Sequence, residues 1–362
     1  MTTANSPHEQ AFAERLLGWF DQHGRHDLPW QHPRSAYFVW LSEIMLQQTQ
    51  VATVVPYFLR FTARFPDLAA LANASLDEVL ALWAGLGYYS RARNLHACAR
   101  LIVLAHQGVF PSTLEALIAL PGIGRSTAGA IAAQAFGKRA AILDGNVRRV
   151  LARQIALTGW PGAIPAQALL WETALARLPD ARLADYSQAL MDLGALLCTR
   201  KKPQCQQCPV KLSCKALAMQ QVEAIPHAKP KRAAVNKRAN WLIARDSAGQ
   251  ILLERRAEQG IWGGLYSLPE FADADIFARL QSLGLKPLTP AQECAKVKHV
   301  FTHFTLHAKP WLVQVGDESV AREPHLRWVN PAACTEFGLP APIKALLQLL
   351  ANNIPLELAV AG

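Results

Sequence analysis

Four of the seven cysteines are crowded into one short stretch of the chain, where they could bind metal. They are Cys198, Cys205, Cys208 and Cys214, separated by six, two and five residues. Four thiolates can close a tetrahedral zinc site or hold a 4Fe–4S cluster with one sulfur per iron. Zinc ribbons usually pair two CxxC knuckles, and this stretch has a single CxxC. The spacing therefore favours one 4Fe–4S cluster over zinc.

Two carboxylates stand in contrasting surroundings that suit acid–base chemistry. Glu43 lies in the apolar stretch 40–46, so desolvation should raise its pKa and let it hold a proton near neutral pH. Asp144 precedes Gly145 and Asn146, where a helix begins, and a helix N-terminus favours the ionised form. Glycosidic cleavage needs such a pair, because the acid assists the leaving group and the anion steadies an oxocarbenium-like sugar.

Both carboxylates have structural alternatives. Asp144 could serve only as a helix cap, and Glu43 could form an ion pair with an arginine such as Arg34. The sequence does not show that the two side chains meet. A shared cavity is therefore an expectation.

A glycine turn at 120–128 is a candidate contact to phosphate. Gly122 and Gly124 let the backbone turn sharply, and the helix that begins near Arg125 presents its positive dipole end to an anion. A helix-hairpin-helix of this kind grips DNA phosphate without reading bases. An ordinary interhelical turn has the same pattern.

A basic loop between the first two clustered cysteines is a second candidate. It contains Arg200, Lys201 and Lys202. Metal bonds on both sides would make this loop rigid, which suits salt-dependent binding of phosphate. The alternative is a solvated run of charge.

Length, charge and composition set the broad class. The chain has 362 residues, 51% hydrophobic and 18% charged, so a mainly disordered protein is excluded and two domains are expected. A formal net charge of +10 suggests a polyanionic partner. The first residues do not resemble a signal peptide, and no uncharged apolar run approaches about eighteen residues. A cytoplasmic protein, nucleoid-associated in a bacterium, is expected.

The apolar pattern changes along the chain. Helical periodicity predicts an all-α domain over residues 1–220. Residues 221–239 are basic and lack periodicity, so a linker is predicted there. Strand-like alternation followed by a closing helix predicts an α+β domain over 240–355.

In this order, the motifs resemble those of the helix-hairpin-helix superfamily of base-excision DNA glycosylases that carry an iron–sulfur loop. The resembling stretches cover most of residues 25–215 and are LPWQ (28–31), VWLSEIMLQQTQV (39–51), GLGYYSRARNL (85–95), LPGIGRSTAGAI (120–131), ILDGNV (142–147), MDLGALLC (191–198) and the cysteine spacing. The similarity continues through IWGGLY (261–266) and HVFTHF (299–304). It is greatest to the branch that removes adenine mispaired with 8-oxoguanine.

This resemblance implies base flipping and hydrolysis of the adenine N-glycosidic bond. Glu43 would protonate the adenine ring, Asp144 would stabilise the sugar cation, and Asn146 would help to position this centre. The other implied substrate contacts are Trp30, Leu46 and Gln188 around the adenine, Gln48 and Tyr88 at the opened base stack, and Thr49 and Leu86 near the oxidised base. The implied partner is double-stranded DNA with an A·8-oxoguanine or A·G mispair, and a monomer is expected.

The residue after Arg125 separates two branches of the superfamily. Endonuclease III enzymes have a lysine there, whose amine attacks the sugar and nicks the strand through a Schiff base. Ser126, an implied substrate contact, cannot form that imine, so a monofunctional glycosylase is implied. The alternatives are an endonuclease III-like glycosylase with lyase activity, and a non-catalytic iron–sulfur protein that binds DNA or senses redox state.

The second domain resembles the Nudix fold of pyrophosphatases that remove oxidised guanine nucleotides. Those hydrolases bind magnesium through a glutamate-rich helix, which the stretch 271–280 lacks. A recognition role is therefore implied. In the similar glycosylases a Phe-Ser-His loop contacts 8-oxoguanine, and Phe301, Thr302 and His303 are the matching residues here.

Overall fold

The computed structural model describes residues 7–230, 235–257, 260–272, 275–301, 304–316, 323–334 and 338–354. The chain divides into two compact units. The first combines Met1–Ala74 with Arg93–Lys231, and the second combines Ser75–Ala92 with Arg232–Gly362. Each unit is thus built from two separate segments, whereas the sequence predicts two continuous domains.

The first unit is helical, as predicted. Its helices are α1 (Pro7–His23), α2 (Ala36–Leu46), α3 (Val51–Arg64), α4 (Leu68–Asn73), α7 (Leu114–Ile118), α8 (Arg125–Phe136), α9 (Gly145–Gln154), α10 (Ile164–Ala176), α11 (Leu183–Asp192) and α12 (Lys215–Ala218). α5 (Leu76–Trp83) belongs to the second unit, and α6 (Ser90–Ala105) begins there and continues into the first. The side chains of Ser35, Asp67 and Thr113 cap helices by accepting the N–H three residues further on.

The core that positions the candidate site forms between α1, α9 and α11. Phe12 and Phe20 of α1 pack in one buried cluster with Val150 of α9 and Tyr186 of α11. The cluster continues through four buried residues near the cysteines, Val210, Ala216, Val222 and Ile225. Burial of this continuous apolar surface fixes the start of α9 relative to the cysteine loop.

Within the described residues, the second unit contains an eight-stranded mixed sheet. The strands are β1 (Val235–Arg245), β2 (Ile251–Arg255), β3 (Tyr266–Ser267), β4 (Glu270–Phe271), β5 (Gln292–Glu293), β6 (Val297–Val300), β7 (Phe304–Gln314) and β8 (Leu326–Val329), and the helices are α13 (Ile276–Ser282) and α14 (Ala341–Ala351). The strand order is β3-β2-β1-β7-β5, with β4 paired to β1, β6 to β7 and β8 to β2. β1 and β7 are parallel along their full lengths.

Successive side chains of β1 point to opposite faces of the sheet, and each face carries a buried core. Trp241 and Ile243 belong to one buried cluster, with α14, and Leu242 and Ala244 belong to another, with α13. A strand covered on both faces reads as a continuous apolar run. The predicted α+β class is confirmed.

The predicted linker, 221–239, differs from the structure at both ends. Val222 and Ile225 are buried in the first core, and Arg153 donates to the Ile225 carbonyl at 2.8 Å. At the other end, Val235 already pairs with β7. The sequence did not indicate these contacts, because the segment is mostly basic and contains few apolar residues. None of the described helices is long and apolar enough to cross a membrane.

Candidate active site

Glu43 lies on α2 among apolar side chains. Trp40, Leu41 and Met45 of the same helix are buried, and Glu43 is partly buried. Removal of water from the carboxyl, followed by the nearby charge of Asp144, raises the pKa of Glu43 to about 8. Glu43 therefore keeps its proton at neutral pH, which confirms the predicted rise in pKa.

Asp144 caps the N-terminus of α9. Its carboxylate accepts the N–H of Val147 at 2.8 Å. Burial raises the pKa of Asp144, and the N–H groups of Val147 and Asn146, together with Arg149 and Arg148, oppose the rise. The helix N-terminus thus supports the anion, as predicted, while desolvation, which the sequence did not indicate, works against it.

The two carboxyl groups lie close to each other. The charge of Asp144 raises the pKa of Glu43, so the two groups are close enough to interact electrostatically. The N–H and guanidinium groups that stabilise negative charge act on Asp144. Arg34, the alternative partner for Glu43, instead donates to Asp185 at 2.9 Å. If one group of this pair ionises, the negative charge is therefore more stable on Asp144 than on Glu43.

α8 holds the segment that leads into Asp144. The hydroxyl of Ser126 accepts the backbone N–H of Leu143 at 2.9 Å. Further along α8, a Cβ on Gly129 would lie only 2.1 Å from the carbonyl oxygen of Ala141, so this close approach requires glycine. Ser126 therefore supports the position of Asp144 through the backbone.

Arg149 connects Asn146 with the first clustered cysteine. It donates to Asn146 Oδ1 at 2.8 Å and to the carbonyls of Gly194 and Cys198 at 2.6 and 2.7 Å. Gly194 lies in a π-helical turn, Leu193–Leu197, where an added Cβ would be 2.6 Å from the Cβ of Asn146. Asn146 is thus fixed by the segment that ends at Cys198. The sequence signalled neither Arg149 nor Gly194, because their partners are far away in the chain.

Three of the predicted adenine contacts belong to the first unit. Trp30 is buried and packs edge-on against Phe58, with ring centroids 5.4 Å apart. Leu46 is the last residue of α2, three residues after Glu43. Gln188 is buried on α11, a helix that contacts α8 and α9. Their contacts with a base stay a prediction.

The predicted contacts to the opened duplex lie on two turns. Gln48 and Thr49 follow α2 in the first unit, and Leu86 and Tyr88 follow α5 in the second. Gln48 and Tyr88 have φ values of 59° and 49°, in the left-handed region that is uncommon for residues other than glycine. Tyr88 is 47% exposed, whereas Leu86 is buried. Backbone strain of this kind clusters at functional sites.

The glycine turn joins α7 to α8, as a helix-hairpin-helix requires. Gly122 has a φ of +76°. Gly124 is the N-cap of α8, and the space where its Cβ would lie is open. Exposed backbone at a helix N-terminus suits a phosphate. The guanidinium of Arg125 stacks on Trp171, 4.0 Å from the ring centroid, so this arginine has a structural role as well as its predicted one.

The four clustered cysteines line one cavity, together with buried apolar residues that include Leu193 and Val210. Within the described residues, no three His, Cys, Asp or Glu side chains are grouped so that they could hold a metal ion. Four thiols that line one cavity are a donor set that could hold a metal centre.

A second cavity, called the basic groove here, opens beside the start of α9. Its charged lining consists of Arg148, Arg149, Arg153, Arg200 and Lys201, with one carboxylate, Glu223. In the described parts of the chain, none of these five cations forms an ion pair. The sequence predicts Arg200 and Lys201 as phosphate ligands but not Arg148. Lys202, also predicted, is exposed and has a φ of 50°.

In the second unit, Phe301 belongs to an aromatic cluster. Its ring stacks on Phe304 at 4.4 Å and contacts His299 and Trp262 at 4.6 and 5.4 Å between centroids. The other two residues of the predicted lesion loop, Thr302 and His303, lie outside the described residues. Phe301 is therefore anchored to the body of its unit, and its contact with 8-oxoguanine stays a prediction.

Comparison with known proteins defines the class. The family of HhH-GPD superfamily base excision DNA repair proteins matches residues 41–174, and the NUDIX domain family matches residues 240–349. A thermostable thymine-DNA glycosylase has a similar structure, with a TM-score of 0.54 and 27% identity, over 59% of this chain and 97% of that one. Endonuclease III bound to DNA shares the fold, with a TM-score of 0.50 and 20% identity, over 61% and 99%. The chain is a base-excision glycosylase of the helix-hairpin-helix class with a Nudix domain.

The particular family follows from full-length relatives. The adenine DNA glycosylase of Buchnera aphidicola subsp. Baizongia pistaciae is 36% identical over 338 residues, which are 93% of this chain and 95% of that protein. The adenine DNA glycosylase of Homo sapiens is 37% identical over 95% of this chain and 75% of the human protein. The chain belongs to the adenine DNA glycosylase (MutY) family.

Replacing the proton donor should stabilise the fold in a pH-dependent way. The pKa of Glu43 is about 8 in the folded protein, against an ordinary value of 4.5. The protonated carboxyl therefore contributes most to folding stability below pH 4.5, and this contribution is lost as the pH rises towards 8. Glu43→Gln removes this loss. We expect the free energy of unfolding, measured by urea denaturation, to rise by about 1–3 kcal/mol at pH 8 and by much less at pH 5.

The matched control is Glu172→Gln, which makes the same change at an exposed position on α10. It should show no such gain. Equal stabilisation by Glu43→Gln at both pH values would contradict the raised pKa.

Proposed function

We propose that this protein excises adenine mispaired with 8-oxoguanine or guanine from double-stranded DNA, as a monofunctional base-excision repair glycosylase. The observation that carries the proposal is the carboxyl pair, in which Glu43 holds a proton at neutral pH beside Asp144. Family membership indicates adenine as the leaving base. The mispaired partner is proposed from the resemblance of the second unit to lesion-recognising Nudix-like domains.

The reaction starts from a nucleotide flipped out of the duplex, since its glycosidic bond is unreachable inside the stack. Glu43 donates its proton to an adenine ring nitrogen, which makes the base a better leaving group. As the C1′–N9 bond breaks, its electron pair leaves with the base, and Asp144 stabilises the positive charge on the sugar. Water then adds to C1′ and releases a proton, which restores the protonated carboxyl. The products are neutral adenine and an abasic site.

Ser126 separates this mechanism from that of a lyase. A hydroxyl cannot form the imine through which a lysine nicks the strand. In this structure the Ser126 hydroxyl is engaged with the N–H of Leu143, next to Asp144. We therefore propose that the abasic strand stays intact, and the endonuclease III-like alternative is not favoured.

The cysteine cavity is proposed to hold one 4Fe–4S cluster, with Cys198, Cys205, Cys208 and Cys214 as ligands. Bound there, the cluster would supply four iron–thiolate bonds that fix the basic loop between the first two ligands.

Purified protein should contain iron and absorb visible light. Zinc in place of iron would contradict the proposal.

The proposed contacts to DNA fall into three groups. Gly122, Gly124 and Arg125 of the hairpin would bind backbone phosphates, as would Arg148, Arg200 and Lys201 of the basic groove and the neighbouring Lys202. Gln48 and Tyr88 would enter the opened base stack, with Thr49 and Leu86 near the oxidised base. Phe301 would help to present the lesion loop. Strained, partly exposed turns and unpaired cations support these roles.

Loss of either carboxyl should abolish most of the activity on a duplex with one A·8-oxoguanine pair. Glu43→Gln removes the proton donor, and Asp144→Asn removes the anion that steadies the sugar cation. Each should lower the single-turnover rate of adenine release about 10²–10⁴-fold. Glu172→Gln should leave the rate unchanged, and parent rates in both active-site variants would refute the proposed roles.

The basic groove gives a prediction about salt dependence. If Arg148 binds a phosphate, Arg148→Gln should make the plot of log affinity against log salt shallower by about one unit of slope. Arg182→Gln makes the same charge change at an arginine already paired with Asp21 and Asp185, so its slope should match that of the parent. Duplex binding measured over a range of salt concentrations tests both variants, and equal slopes would exclude the groove from the interface.

A further inference from the structure

Arg153 of α9 is a buried cation in contact with the cysteine cavity, and the chemistry described above does not use it. The residue is only 1% exposed, and it lines that cavity. Its Nη1 atom donates to Cys198 Sγ at 3.3 Å. Its backbone carbonyl oxygen lies 3.6 Å from Cys214 Sγ. Arg153 therefore contacts the first and the last of the four proposed ligands.

The other contacts of Arg153 hold its guanidinium in one orientation. Nε donates to the Ile225 carbonyl at 2.8 Å, and Nη1 donates to the Thr199 carbonyl, also at 2.8 Å. Nη2 lies 3.5 Å from the Arg200 carbonyl. These carbonyls satisfy the N–H groups and fix the guanidinium against the Cys198 sulfur. They carry no net charge, so they do not neutralise the cation.

The positive charge of Arg153 has no carboxylate to balance it. In the part of the chain that the structure describes, this arginine forms no ion pair with an aspartate or glutamate. Glu223, the carboxylate in the lining of the basic groove, is exposed to solvent. A buried charge without a partner is strongly destabilising. The group in contact with the guanidinium that can carry a negative charge is the sulfur of Cys198.

We propose that Arg153 is the internal counter-ion of the iron–sulfur cluster, which stabilises the Cys198 thiolate and raises the reduction potential of the cluster. This inference rests on the cluster proposed above. Four thiolate ligands bring negative charge into the cavity, and reduction adds one more. A cation fixed at a ligand sulfur favours the more negative, reduced state. The protein interior screens this attraction far less than water would.

Arg153→Gln tests the inference through the reduction potential of the purified holoprotein. Glutamine removes the charge and leaves a polar amide in its place. In a redox titration the electrode supplies one electron to the cluster, and visible absorbance reports the fraction that is reduced. We expect the equilibrium constant for reduction to fall about tenfold, which is about 59 mV for a one-electron couple.

Lys215→Gln is the matched control. It removes an exposed positive charge next to Cys214 in the sequence, and solvent should screen the effect of that charge. Its reduction potential should match that of the parent.

Arg153→Lys is the second variant, which keeps the charge but loses the forked hydrogen bonds. It should lower the equilibrium constant by less than about threefold, because the charge sets the potential. The inference is overturned if Arg153→Gln keeps the parent potential, if Lys215→Gln shifts it equally, or if Arg153→Lys lowers the constant tenfold. The last measurement decides the question even if Arg153→Gln does not fold. A parent protein without iron would instead refute the proposed cluster.

Discussion

The structure depends on how one negative charge is shared between two carboxyl groups that have lost most of their water. Burial raises the pKa of both Glu43 and Asp144, and the charge of Asp144 raises the pKa of Glu43 further. The two carboxyl groups differ because the backbone N–H groups at the N-terminus of α9 stabilise the carboxylate of Asp144 and do not act on Glu43. Without that asymmetry the pair could not divide into a proton donor and an anion. Contacts made by Gly129, Gly194 and Arg149 hold this helix end in place.

Two close backbone approaches hold that helix end. Gly129 lets α8 pass against the Ala141 carbonyl, and Gly194 lets the π-helical turn reach Asn146. Arg149 then ties the same turn to the start of α9. These contacts link Asp144 to the cysteine loop through short segments of the chain. The basic groove and Asp144 are therefore held by the same part of the structure, the start of α9.

Local features of the site could be predicted from the sequence, and long-range ones could not. An apolar helix around Glu43 and a helix start after Asp144 are visible in a few neighbouring residues. That the two meet depends on packing between elements about a hundred residues apart, which no local pattern encodes. Asp192 reads as an ordinary helical residue until Arg25, 167 positions away, is placed beside it. The grouping of Ser75–Ala92 with the second unit was missed for the same reason.

The polarity of the proposed base site is itself an argument for adenine. A protonated Glu43 is a donor, which suits a ring nitrogen with a lone pair. The amide oxygens of Gln188 and Gln31 are acceptors, which suit an amino group. Bases with a carbonyl in place of the amino group reverse the second requirement, whereas adenine and cytosine meet both. A donor and acceptors of this kind therefore disfavour carbonyl-bearing bases, and membership of the adenine DNA glycosylase family indicates adenine among the bases that remain.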